Sequence, residues 1–274
     1  IYQGSKVITG YANVDEVVAE VRVAKINKMN IALGRKLMEM NYSLFYSCLS
    51  VSSDEMICMR FTTRTTDGFP GKIYHGLREI ATTADQQDDI LLAEFKNLEA
   101  IDDSHIRTLD LKEKLAKYNF IRLSIEKTLK YVKQLNPTEF EGAVTYSLLN
   151  LIYKIDFFTT PEGTLVNELE EVQQIYLKQI PNQSQIEKNN DLYKRIEKIL
   201  DTPQDEMLKN FYATTSTFGI AQAVQYEELS RFIEKHLQAA QLYIDKKHEE
   251  IVLVIFEYIA SYALFNYGLP KPMR

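Results

Sequence analysis

"SLFYSCLSV" (43–51), "SSDE" (52–55) and "MICMRFTTR" (56–64) form the stretch whose reading decides the fold. Aromatic and β-branched residues stand on both sides of a short polar turn, which is the pattern of an antiparallel hairpin. Leu44 and Tyr46 fall on one face of the first strand, Phe45 and Leu49 on the other. Apolar groups on both faces predict a strand sandwiched between other elements. A chain with such a hairpin is not all-helical, whatever follows it.

Beyond the hairpin, "TDGFP" (66–70) is a turn punctuated by Gly68 and Pro70. A helix is expected from about 72 to 99, and within it "REIATTADQQDDILLAEF" (78–95) carries Asp85, Asp88 and Asp89. On a helical wheel Leu77, Ile80, Ala81, Ala84, Leu91, Leu92 and Phe95 share one stripe, within about 60° of Leu77. Asp88 lies near the middle of that stripe, at about 20°, while Asp85 and Asp89 sit on its flank at about 80° and 120°. A carboxylate on an apolar face needs a partner. Three readings are open. Asp88 pairs with an Arg, a Tyr hydroxyl or backbone donors inside the fold; or this face meets an oligomer mate or another protein; or the three aspartates form a metal or acid/base site. The last would resemble the aspartate-rich motifs of isoprenoid synthases, where clustered carboxylates hold magnesium on a diphosphate. Such a site needs a second acidic cluster, and the best candidate is Asp201, Asp205 and Glu206, across Pro203 at a helix start.

Upstream, a short extended piece around Val7–Thr9 precedes "NVDE", where Asn13 can cap a helix with Glu16 three residues later. A helix is expected over about 14–40, because Ala19, Val23, Ile26, Leu33 and Leu37 recur at helical spacing. Arg22, Lys25, Lys28, Arg35 and Lys36 fall on a separate, basic stripe, either a solvated face or a binding one.

Downstream, the polar connector "IDDSHIRTLD" begins at Ile101, and no convincing strand follows. Periodic segments are expected to be helical at about 109–135, 138–158, 163–180, 185–200, 204–217, 222–246 and 248–267. "NPTE", "TPEG", "TPQDE" and the closing Gly268 and Pro270 supply their boundary signals. No 34- or 40-residue repeat marks a solenoid. The last segment is apolar nearly all round and is expected to be a core helix, with an oligomer interface as the alternative. Its uninterrupted apolar run is shorter than ~20 residues and contains Glu257, so no membrane span is expected.

The bulk composition narrows function mainly by exclusion. Lys+Arg of 32 against Asp+Glu of 38 leaves a net charge of −6, with no global attraction for nucleic acid or anionic lipid. Four histidines, none spaced i, i+4, make a zinc site improbable, and His105 reads as a surface histidine beside Asp102 and Asp103. Ten glycines include no phosphate-cradling motif, and no cofactor is expected. Cys48 and Cys58, on neighbouring strands, read as two reduced thiols in a cytoplasmic protein. The chain opens at Ile1 without Met, so its natural N-terminus is expected to lie upstream, which is compatible with a removed leader.

The order helix, hairpin, helix over about 13–100 is similar to the type III secretion chaperone-like fold, including its YbjN-like branch. "FPGKIYHGLREIATTADQQDDILLAEF" (69–95) looks like the closing helix of such domains, which packs on their sheet. The resemblance implies no catalytic residues; it implies dimers that bind other proteins through helix and sheet surfaces. Those domains usually carry more than the two or three strands legible here. Completion of the sheet by dimerisation is one way to reconcile the two.

The expected architecture is an α+β N-terminal domain at 1–100 followed by an all-α helical domain at 101–274, mainly α overall. The expected function is non-enzymatic: protein interaction, adaptor or chaperone-like, with a protein partner or a homodimer. Asp85, Asp88, Asp89, Arg22, Lys25 and Lys36 are the candidate interaction surface, acidic on one helix and basic on the other. The alternatives are a helical metal-dependent enzyme using the aspartates, and a small-molecule sensor with a Tyr-lined cavity between the C-terminal helices.

Overall fold

A computed structural model describes residues 1–101, 105–178, 180–218 and 225–267. Asp102, Asp103, Gly268 and Pro270, and the start of the helix expected at 222, lie outside the described residues. The chain is mainly α, with an α+β N-terminal region ahead of a helical bundle. It divides into two compact units, 1–108 with 212–219, and 109–211 with 220–274.

The first unit runs β1 (Tyr2–Gln3), β2 (Lys6–Val7), β3 (Thr9–Ala12), β4 (Glu16–Ile26), α1 (Ile31–Ser43), β5 (Ser47–Val51), β6 (Met56–Arg64), α2 (Pro70–Glu94), β7 (Leu98–Glu99) and β8 (Arg107–Thr108). β8 pairs with β9 (Tyr212–Ala213) in a two-stranded ladder, so two short strands exist where none was legible. The main sheet has the order β3-β4-β6-β5, with β7 added to β4. α2 packs on β4 and β6, burying Ile80, Ala81, Ala84 and Leu91 against Phe61 and Met59. Gly76 allows this close approach, since a Cβ there would lie 2.4 Å from the Phe61 ring.

The largest correction concerns residues 16–26, which form the central strand and not the first half of a helix. Ala19, Val23 and Ile26 do recur at helical spacing. However, Val18, Ala19, Val21, Val23, Ala24 and Ile26 are all buried, so apolar residues fill both faces and satisfy either periodicity. Four valines and an isoleucine tip the balance, because β-branched side chains lose rotamer freedom in a helix and pack well on a pleated surface. Asn13 does cap, but its side chain accepts from the N–H groups of Asp15 and Glu16 within the β3–β4 turn. With this strand included, the main sheet has five strands within one chain.

A second correction concerns β5, which is the outer strand and is not sandwiched. Leu49 is buried, while Phe45 is 90% exposed in the stretch just before the strand. Its outward edge is nevertheless occupied. The Asn41 side-chain amide donates to Leu49 O at 2.9 Å and accepts from Leu49 N at 2.6 Å, as a neighbouring strand would. The Glu79 carboxylate accepts from the backbone N–H of Phe45, Tyr46 and Ser47, each at 2.8 Å, and from Ser47 Oγ at 2.7 Å. Cys48 lies opposite Arg60 and Cys58 opposite Ser50, and both thiols are free.

The second unit contains α3 (Leu111–Val132), α4 (Glu141–Thr159), α5 (Gly163–Leu177), α6 (Gln185–Ile199), α7 (Gln204–Lys209), α8 (Tyr226–Asp245) and α9 (Glu249–Tyr267). α4 is its axis: Leu148, Leu151, Ile152 and Ile155 are buried among side chains of α3, α5 and α6. Ser184 and Glu187 close a capping box at the start of α6. The helix expected over 204–217 stops at Lys209. There Asn210 turns its side chain to Glu206 O and accepts from Leu165 N, and Phe211 is fully buried behind it. α9 is covered on one side only. Ile251, Val252, Ile255 and Tyr258 are buried, while Leu253 and Phe256 are exposed. By length and composition it is the one helix among the described residues apolar enough to cross a membrane. Its Glu257 is bound to Lys154 and Asn150 of α4.

Candidate functional site

Asp88 has partners inside the first unit, and they are neither an Arg nor a Tyr. Its carboxylate accepts from Lys6 Nζ at 2.6 Å and from Ser5 Oγ at 2.5 Å, with both charged side chains almost fully buried. Its other oxygen accepts from Asp89 N at 2.8 Å. The Lys6 ammonium also donates to Val23 O at 3.2 Å. Val23 is the extra residue where the β4–β6 register slips between Arg22 and Ala24, so its place in the ladder is broken and the ammonium attends to its carbonyl. Asp85 completes the clasp by accepting from Ser5 N at 2.7 Å. The turn that brings Ser5 so close needs glycine twice over: Gly4 has φ +53°, and a Cβ on it would lie 1.8 Å from Asp85 Oδ1. Burial pushes the Asp85 carboxyl up to about 6, against the pull of the Ser5 N–H.

Two of the carboxylates expected to mark a binding face, Asp85 and Asp88, therefore hold the β1–β2 turn onto α2. Asp85 and Asp89 are half-buried. The basic members are dispersed: Arg22 reaches Asp54 at 3.4 Å, Lys25 reaches Glu99 at 3.7 Å, and Lys36 of α1 reaches Glu94 of α2 at 3.6 Å. Lys36 and Glu94 join the two helices within the chain. Among the described residues no group of three or more His, Cys, Asp or Glu could hold a metal. An open cavity of ≈ 400 Å³ adjoins the clasp, lined in part by Ser5, Lys6, Glu20, Arg22 and His105. Its cations already face carboxylates, so it offers no net field to an anion. His105 is half-buried, its ring 5.6 Å from that of Tyr2.

The tyrosines of the second unit pack against one another. Tyr146, Tyr153, Tyr258 and Tyr262 make ring contacts 5.1–6.1 Å apart, and Phe232 stacks on Tyr262 at 4.1 Å. His236 sits among them, hydrogen-bonded through Nδ1 to the Tyr146 hydroxyl at 2.7 Å. Burial pushes the imidazole down to about 4 and the Tyr146 phenol up to about 12, so the pair is neutral at physiological pH. Burial likewise raises Tyr153 and Tyr258.

The feature that sequence reasoning missed is the outer face of α1. Leu33 and Leu37 are buried, as their spacing predicts, but the opposite side is apolar as well. Ile31 is 76% exposed, Met38 74%, Tyr42 95%, and Phe45, just past the helix, 90%. Ile31, Arg35, Met38 and Tyr42 follow i, i+4, i+7, i+11 and form one stripe. The signal was present, since a helix of 13 residues carries Ile31, Met38 and Tyr42 in addition to its core stripe. Starting the helix at Val14 obscured it. No family model matches this chain, and no curated protein matches it.

Proposed function

We propose that this chain is a non-enzymatic protein-interaction module, adaptor- or chaperone-like, that works through α1 and the residues leading into β5. The supporting observation is the exposure of Ile31, Met38 and Tyr42 along α1 and of Phe45 just past it. Scattered apolar residues on a surface are ordinary; a contiguous row marks an interaction site. The charges around it favour the same reading, because Asp88 and Lys36 are engaged within the unit. A sheet carrying an exposed helix face also agrees with the chaperone-like resemblance, whose members bind proteins through such surfaces.

The test is a Met38→Glu, Tyr42→Glu double variant compared with wild type by affinity capture from the native cell and by light scattering. The expected result is loss of a specific protein complex, self-association included, with an unchanged circular dichroism spectrum. A variant that keeps every wild-type complex places the working surface elsewhere.

A further inference from the structure

We infer that the outer face of α1 is occupied by α1 of a second copy of this chain, antiparallel about a twofold axis between Arg35 and Met38. The inference rests on the interaction reading of α1 and names its partner. The stripe Ile31, Arg35, Met38, Tyr42 is symmetric about its midpoint, with spacings of four, three and four. Laid antiparallel on itself, it sets Ile31 against Tyr42 of the second copy at each end and, nearer the axis, Arg35 against Met38, whose thioether can pack on the apolar stem of the arginine. Each facing pair occurs twice, as an isologous contact requires.

Charge supplies the second argument. Arg35 and Glu39 are exposed and lie on the same flank of the stripe, at about 40° and 80° from Ile31. In an antiparallel helix pair like flanks face each other, so Arg35 of each copy meets Glu39 of the other, twice per interface. Among the described residues neither takes part in an ion pair, whereas nearby Lys36 pairs with Glu94.

Charge reversal tests this directly, using the full chain in sedimentation equilibrium. Wild type is expected to dimerise reversibly. Arg35→Glu alone and Glu39→Arg alone should each weaken association about tenfold by placing like charges opposite each other. The double swap Arg35→Glu with Glu39→Arg should restore it, because the swapped helix is again complementary to itself. Met38→Glu should abolish the dimer. A chain that stays monomeric, or a dimer indifferent to both reversals, overturns the twofold α1 contact. If the chain is monomeric yet loses a different protein on Met38→Glu, the second-copy inference fails while the interaction reading stands. If Met38→Glu changes no association at all, both fail.

Discussion

The two units solve the problem of interior polarity in opposite ways. The first buries a full ion pair, Lys6 with Asp88, and supports it with Ser5, Asp85 and the carbonyl of a bulged strand. The second buries neutral groups: Tyr146 with His236, and Asn189 with Thr145 and the carbonyl of Glu141. Buried charges must all be present, because a lone one remains desolvated and uncompensated. Neutral pairs lose only the hydrogen bond and the desolvation of one group. The first unit is therefore held by an all-or-nothing contact between its N-terminal turn and α2, and the second by many smaller ones.

The largest effect should come from breaking the ion pair on one side. Lys6→Met takes the cation from the buried Asp88 carboxylate and should cost about 3–5 kcal/mol in urea unfolding. Lys6→Met with Asp88→Leu should recover most of that loss. A single variant costing under about 1 kcal/mol would remove the contrast. Next in size, Tyr146→Phe should cost about 1–2 kcal/mol, since His236 Nδ1 loses its partner in a nearly closed site.

Asp85 in the first unit and His236 in the second should respond to acid with opposite slopes. The Asp85 carboxyl is raised to about 6, so between about pH 4 and 6 the folded state holds more protons than the unfolded one. Stability from this group is greatest below pH 4 and falls as pH rises toward 6. His236 is lowered to about 4 from 6.5, so the unfolded state holds more protons in that window. Its contribution is present above pH 6.5 and is lost as pH falls toward 4. Asp156 of α4, raised to about 6 by burial and by Glu170, slopes with Asp85, so each variant is compared with wild type pH by pH. Relative to wild type, Asp85→Asn should gain melting temperature as pH rises from 4 to 6. The deficit of His236→Gln should shrink as pH falls from 6.5 to 4. Shifts of about 1 kcal/mol, or ~3 °C, are expected in each case. Slopes of the same sign would contradict the assignment. The smallest effect on folding belongs to the surface: Met38→Glu should change stability by less than about 0.5 kcal/mol while altering association.

Much of this was legible where one periodicity dominates. The stripe of α2 identified Ile80, Ala81, Ala84 and Leu91 as core, and Asp88 as the carboxylate that required an explanation. Its partner was not legible, because Lys6 stands 82 positions earlier in a two-residue strand with no pattern of its own. The valine-rich stretch 16–26 was misread for a physical reason: a strand buried on both faces shows no alternation, and scattered alanines and valines then fit a helix equally well. That error carried Arg22 and Lys25 onto a helical face that does not exist, and hid the outer stripe of α1 behind a false start. In the second unit, α4, α5 and α6 ended close to where their boundary residues indicated, whereas α7 stopped early because Asn210 found long-range partners in Thr164 and Leu165.

Asn41 stands in for a missing strand at the border of the sheet, and this bears on how the protein can assemble. Polymers that grow by adding strands need an open row of backbone donors and acceptors. Here a side-chain amide and the Glu79 carboxylate fill the central part of that row. A contact through α1 closes on itself after two copies. With the β5 edge stoppered in this way, strand addition has little to build on at this border of the sheet, and the pairing proposed for α1 would end at two copies.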